Sequence, residues 1–220
     1  LLSLPQTPSI IAGVICGICV VVMLPGFMII QPNNSRVLTF FGRYAGTVIS
    51  NGFYWVNPLF LKSTVTLRIL NLNIDPIKVN DKVGNPIMIG AVVVWRIKDT
   101  YKASFDISGN IREFVQIQSD AALRQVAGMY AYDTNETIDK VTLRSDESGE
   151  ITQRLEDELN SRLAIAGIEI VEARINYLAY ASEIASVMLR RQQADAIISA
   201  RERIVEGAVS MVHLALEKLE

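Results

Sequence analysis

"MIIQPNNSRVLTFFGRYAGTVISNGFYWVNPL", Met28 to Leu59, is where a charge-free apolar beginning gives way to a different rhythm. The first charge anywhere in the chain is Arg36. From there apolar and polar residues alternate, and the alternation predicts a strand over Val37 to Phe41, because successive strand side chains face opposite ways. Gly42 follows as a turn residue. Asn51-Gly52 is a tight-turn signal, since both residues tolerate positive φ. A small antiparallel sheet starts here.

Reading onward, "TVTLRILNLNID" alternates twice. Val65, Leu67 and Ile69 share one face, then Leu70, Leu72 and Ile74 take over. The slip at Ile69-Leu70 predicts a bulge. "VNDKVGNP" (Val79 to Pro86) is a hairpin connection. In "IMIGAVVVWRIKD", Ile87, Ile89, Ala91, Val93, Trp95 and Ile97 fall on one face and Val92 and Val94 on the other. The middle of that strand is expected to be covered on both sides. Residues 32–100 thus read as one small, mostly antiparallel sheet.

Helix then mixes with strand. Ile111, Phe114, Val115, Ala122, Val126 and Met129 recur at helical spacing, with a stop between Gly128 and Asp133. Ile151, Leu155, Leu159, Leu163 and Ala166 form an i, i+4 stripe, and Gly167 is placed to end that helix. "IEIVEARINYL" alternates again, through Ile168, Ile170, Ala173, Ile175 and Tyr177, as a strand beside the earlier sheet or in a second one. The plan is α+β.

Reading backward, Ile10 to Ile30 is "IIAGVICGICVVVMLPGFMII", with no charged side chain. A helix crossing a bilayer needs about 20 such residues. The expected anchor residues include Ile10, Ile15, Val20, Leu24 and Ile30. Pro25-Gly26 either kinks this helix or ends it near Leu24, in which case it spans once with help from neighbours or forms a re-entrant insertion. Cys16 and Cys19 lie inside the run, where packing rather than a disulfide is expected. The chain opens on Leu1 rather than Met, which leads us to expect residues upstream.

The last stretch is "RRQQADAIISARERIVEGAV" and its flanks. Ser182 is a fitting N-cap, with Glu183 in the first turn. No proline follows, and about 38 residues at about 1.5 Å each make a rod of roughly 57 Å. Apolar residues lie on two stripes. One contains Ile184, Met188, Ile198, Val205, Val209, Val212, Leu216 and Leu219. The other includes Val187, Ile197, Ile204 and Met211. Two stripes are too wide for a simple two-stranded coiled coil and suit a helix with a neighbour on each flank. Copies of the same helix are the expected neighbours. Arg190, Arg191, Arg201 and Arg203 against Asp195, Glu202 and Glu206 would set their register. The chain therefore divides into an anchor over 1–31, an α+β body over 32–180 (β-rich over 32–100, α/β over 101–180) and an oligomerisation helix over 181–220.

Composition and motifs exclude several functions. Half of the residues are hydrophobic and the formal net charge is -2, which fits neither a disordered polyanion nor a nucleic-acid binder. The single histidine, His213, sits between Val212 and Leu214 and reads as structural. No G-x-S-x-G elbow, zinc motif, Walker A or dinucleotide fingerprint occurs. Glu156 to Glu158 reads as a solvated helix face. Asp146, Glu147 and Glu150 would have to serve any unrecognised acidic site. No catalysis, cofactor or metal is expected.

The motifs together resemble one family. Ile30, Pro32 and Val37 follow the pattern V-x-P-x-x-x-x-V. Phe41-Gly42 matches an F-G turn, and Gly52, Trp55 and Asn57-Pro58 match P-G-x-x-W-x-N-P, with Ser50-Asn51 replacing the proline. Val79 to Phe105, "SDAALRQV" and "LNSRLAIAGIEIVEARINYLAY" resemble later blocks. The resemblance is to the SPFH, or band 7, domain of stomatins, prohibitins and flotillins. It runs from about Gly26 to Glu220, and its last helix is similar to a bacterial-type subgroup. It implies a membrane-anchored scaffold in a bacterial cell (inner) membrane, forming a large ring or cage with itself or a homologous SPFH chain. Such a cage organises a membrane microdomain and encloses or regulates membrane proteins such as a membrane protease. Phe53, Tyr54 and Trp55 would lie at the membrane interface. The alternative is a membrane-tethered adaptor of low oligomeric order whose terminal helix binds another protein.

Overall fold

The computed structural model describes residues 6–133, 141–145 and 149–218. The fold is α+β, and its chain forms two compact units. One takes Leu1–Leu72, Val93–Gln118 and Glu158–Glu172; the other takes Asn73–Val92, Ser119–Asp157 and Ala173–Glu220.

The apolar run is not one element. Helix α1 (Gln6–Met23) ends one residue before Leu24, and a single 3-10 turn (Leu24–Gly26) follows. Pro25 brings no N–H to continue an α-helix, so the helix stops there. Strand β1 (Phe27–Ile30) then pairs antiparallel with β4 (Gly52–Trp55), Phe27 opposite Trp55 and Ile30 opposite Gly52. Ile30, expected in the anchor, is thus a strand residue, only 3% exposed. The Asn51-Gly52 turn signal marks the start of β4.

The expected single sheet over 32–100 is divided. β2 (Asn34–Phe40) lies between β3 (Arg43–Val48) and β5 (Leu61–Thr66), antiparallel to both. A register shift between Leu38 and Thr39 is the irregularity in this sheet. The slip at Ile69-Leu70 is a strand boundary instead of a bulge: β5 ends at Thr66 and β6 (Leu70–Asn80) starts afresh in another sheet. That sheet has the order β6-β7-β8, with β7 (Pro86–Ile97) and β8 (Ile168–Tyr180). Ile87, Ile89, Ala91, Val93, Trp95 and Ile97 are all buried, as their alternation requires.

Asp81 builds the loop between β6 and β7. Its Oδ1 accepts from the backbone N–H groups of Val83 and Asn85 at 3.0 and 2.8 Å. Its Oδ2 accepts from Asn85 Nδ2 at 3.2 Å and Tyr132 N–H at 3.1 Å. The residue is 5% exposed.

In α3 (Ile111–Ala127) Val115, Ala122 and Val126 of the predicted stripe are buried and Ile111 and Phe114 half-buried, while Met129 lies past its end and is exposed; α4 (Glu150–Leu163) follows its stripe. Ile151, Leu155, Leu159, Leu163 and Ala166 are all buried. Gly167 closes the turn after α4 with φ +68°, and a Cβ there would meet Asp99 O at 2.6 Å. Its carbonyl accepts from Lys98 and Asp99 N–H. Asp99 in turn caps α2 (Thr100–Phe105), a short helix with no sequence periodicity to announce it, by accepting from Tyr101 and Lys102 N–H.

The final helix, α5, runs Ser182–Glu217. The carbonyl of Ala181 accepts from Ile184 and Ala185 N–H. Ala181 therefore occupies the cap, and Ser182 is already in the first turn.

Candidate functional site

Two apolar surfaces and one aromatic ribbon are the candidate functional features. The first surface is α1. Among the described residues, Val14, Ile15, Ile18, Val20, Val21, Val22, Met23 and Leu24 are each more than half exposed, and no charged residue interrupts them. A helix apolar all round is stable only where something apolar surrounds it. Among the described residues, no helix is long and apolar enough to cross a membrane. The side chain of Ile10 lies outside the described residues.

The β1–β4 ribbon stands directly after this helix. Phe27 and Phe53 stack with centroids 5.3 Å apart. Trp55 donates its indole N–H to Met23 O at 3.3 Å, satisfying a carbonyl at the C-terminal end of α1. Gly26 lets that indole approach: a Cβ there would stand 2.6 Å from Trp55 Nε1 and 2.6 Å from Val56 O. Phe53 and Trp55 remain 67% and 49% exposed. Tyr54 turns the other way, against the buried cluster of Met28, Ile30 and Leu38. The period of two separates the three expected interface residues: Phe53 and Trp55 face outward, and Tyr54 belongs to the core side. Lys62 donates to Pro25 O, a contact between β5 and the turn after α1 that no local pattern signals.

The second surface is α5. Its first turns are held by their own unit. Lys78 pairs with Glu183, and Tyr132 packs on Tyr180 with ring centroids 4.0 Å apart. The Gln192 amide donates to Asp133 at 3.4 Å. Ile184 and Met188 are half-buried on this side. Beyond Asp195 the cover ends. Ile197, Ile198, Ile204, Val205, Val209, Met211, Val212 and Leu214 are all more than half exposed. Burying a side chain of this type yields about 1.5–3 kcal/mol. Arg190 is exposed. Arg191 lies 3.8 Å from Asp195 in its own helix, an exposed i, i+4 contact of little energetic weight. Arg201, Glu202, Arg203 and Glu206 are exposed beside these apolar side chains. The side chain of Leu216 lies outside the described residues, as does Leu219.

Polar clusters elsewhere are structural in form. Hydrogen bonds from Lys98 and Arg96 hold the half-buried Glu169 carboxyl below its ordinary range. Lys78 does the same for Glu183. Glu156 and Glu158, read as solvated, instead take partners: Glu156 accepts from Ala173 N–H and Glu158 from Arg162. His213 is exposed on α5. Among the described residues no group of His, Cys, Asp or Glu is arranged to hold a metal. Asp146 and Glu147 lie outside those residues.

A family model described as "SPFH domain / Band 7 family" matches residues 28–208. The chain belongs to the SPFH/band 7 family. No curated protein matches it. The SPFH match opens inside β1 and closes within α5, so it takes in most of the ribbon, the α+β body and most of the bare helix, and leaves α1 outside. SPFH proteins are generally membrane-associated and scaffold-like, and generally not enzymes.

Proposed function

We propose that this SPFH chain is a membrane-attached scaffold whose copies assemble through α5 into a large ring or cage. The observation that carries the reading is the bare distal half of α5. Eight large apolar side chains from Ile197 to Leu214 are exposed on a helix whose first turns are already docked. Neighbouring copies would cover both stripes, because each copy offers the same two flanks. Head-to-tail contacts of this kind close into a ring when the rotation per copy allows it.

Attachment falls to α1 and the outward face of the ribbon. At about 1.5 Å per residue the 18 residues of α1 reach about 27 Å, just short of a hydrocarbon core of about 30 Å. Insertion into the bilayer, with Phe53 and Trp55 at the headgroup level, suits this length and these aromatics. The ring would then fence an area of a bacterial inner membrane and hold or regulate membrane proteins there, a membrane protease being one class of client.

Light scattering of the full chain in mild detergent tests the assembly. A particle of many copies, ring-shaped by electron microscopy, is expected. A subunit or dimer that binds an unrelated protein through α5 would replace the scaffold with an adaptor.

A further inference from the structure

The segment that follows α1 has a charge distribution unlike the rest of the chain. Arg36, Arg43, Lys62 and Arg68 are the only ionised side chains before Asp75, and all 23 acidic residues come from Asp75 onward. Such asymmetry in a nearly neutral chain points to an anionic partner for one part of it.

Two of these four cations line one cleft. It has a volume of about 710 Å3 and lies between the β1–β4 ribbon and the β2–β5 pair. Arg36 on β2 is the register partner of Thr64 on β5, and Lys62 lies two residues from Thr64, on the same face. Arg36 and Lys62 are thus diagonal cross-strand neighbours, about 7 Å apart by strand geometry. Both are half-buried. Among the described residues no carboxylate lines the cleft and no ion pair joins Arg36 to an acid. Two cations on one face of a cleft whose lining carries no counter-charge suit an anion between them. Asn34 and Thr64 add polar groups, while Phe27 and Phe53 supply an apolar wall.

The cleft also has a position. Lys62 donates to Pro25 O, and Pro25 itself lines the wall, so the cations stand at the foot of the apolar helix. If α1 enters a leaflet, that leaflet's headgroups lie at this cleft. We infer that the cleft seats the phosphate of an anionic phospholipid between Arg36 and Lys62, with the start of its acyl chains against Phe27 and Phe53. An Arg guanidinium suits phosphate through paired N–H donors, and a Lys ammonium suits it as a point charge. The inference rests on the membrane attachment proposed above and adds to it a lipid class and two residues. A free phosphate ion shares the chemistry of the charged half but has no use for the aromatic wall.

The test uses the full chain in neutral detergent. It is titrated with dioctanoyl phosphatidylglycerol, with dioctanoyl phosphatidylcholine and with inorganic phosphate, and adducts are counted by native mass spectrometry. The anionic lipid should bind roughly 25-fold more tightly than phosphatidylcholine, about fivefold for each basic side chain. Arg36→Gln with Lys62→Gln should erase the preference. Arg36→Lys with Lys62→Arg should keep most of it, and so should Arg43→Gln with Arg68→Gln, which removes the same charge from exposed positions. The inference is overturned if the parent chain shows no preference, if both glutamine pairs lose it equally, or if inorganic phosphate competes as strongly as the lipid. Flotation on pure phosphatidylcholine vesicles separates the two readings. A chain that floats without preferring the anionic lipid loses only this inference, whereas a chain that does not float loses the attachment itself.

Discussion

Asp81 accepts hydrogen bonds from Val83, Asn85 and Tyr132, drawing a five-residue loop and a distant backbone N–H onto one buried carboxylate. Replacing one oxygen by an NH2 group turns an acceptor into a donor that faces donors. Asp81→Asn should therefore cost about 2 kcal/mol, since buried donors left unpaired cost about 1–3 kcal/mol. A fall in Tm of about 4–8 °C is the expected readout. Asp120 works in the opposite direction. Burial raises its carboxyl above the ordinary 3.8, with Arg124 opposing and Asp75 reinforcing the shift. Its Oδ1 is buried without a partner. An acid whose folded form prefers the proton contributes most below pH 3.8, and that contribution is lost as pH rises through the raised value. Asp120→Asn should thus raise Tm at pH 7, and the gain should vanish near pH 3. A gain that is the same at both pH values would show that ionisation is not the cause.

At the scale of elements, what could be read from the sequence depended on phase. β7 was legible because Ile87 through Ile97 keep one parity for the whole strand, and α4 because Ile151 to Ala166 keep one helical stripe. β1 was not, because "FMII" continues an apolar run and composition cannot tell where a helix hands over to a strand. The break before Leu70 was misread because β5 and β6 both alternate, and nothing between Leu67 and Ile69 marks an end as a glycine or proline would. Of the expected interface residues, Phe53 and Trp55 were separated from Tyr54 only once the pairing of β4 with β1 fixed the parity. In α5, the stripes were visible in the sequence, but the docking of Ile184 and Met188 by their own unit was not. That docking divides the helix into a held part and a bare part. Glutamates at Ile204, Val205 and Val209 should therefore leave the subunit's melting within about 0.5 kcal/mol of the parent, as for other exposed positions. The same three changes should reduce the detergent particle to small oligomers by light scattering. An unchanged particle would place the assembly contacts elsewhere.

At the scale of the whole molecule, the chain sorts its chemistry along its length. Apolar helix comes first, then a basic segment without acids, then a mixed α+β body, then a helix with apolar residues exposed on both flanks. Among the described residues no group of His, Cys, Asp or Glu is arranged to hold a metal. Among the described residues nothing covers the apolar flanks from Ile197 to Leu214, and the proposed scaffold covers them with neighbouring copies. A photo-crosslinking residue at Ile204, activated in intact membranes, reads that cover directly. A ladder of adducts climbing through trimers and beyond, linked from one α5 to another, is expected. Adducts confined to a single chain, joining α5 to its own α+β body, would contradict the scaffold.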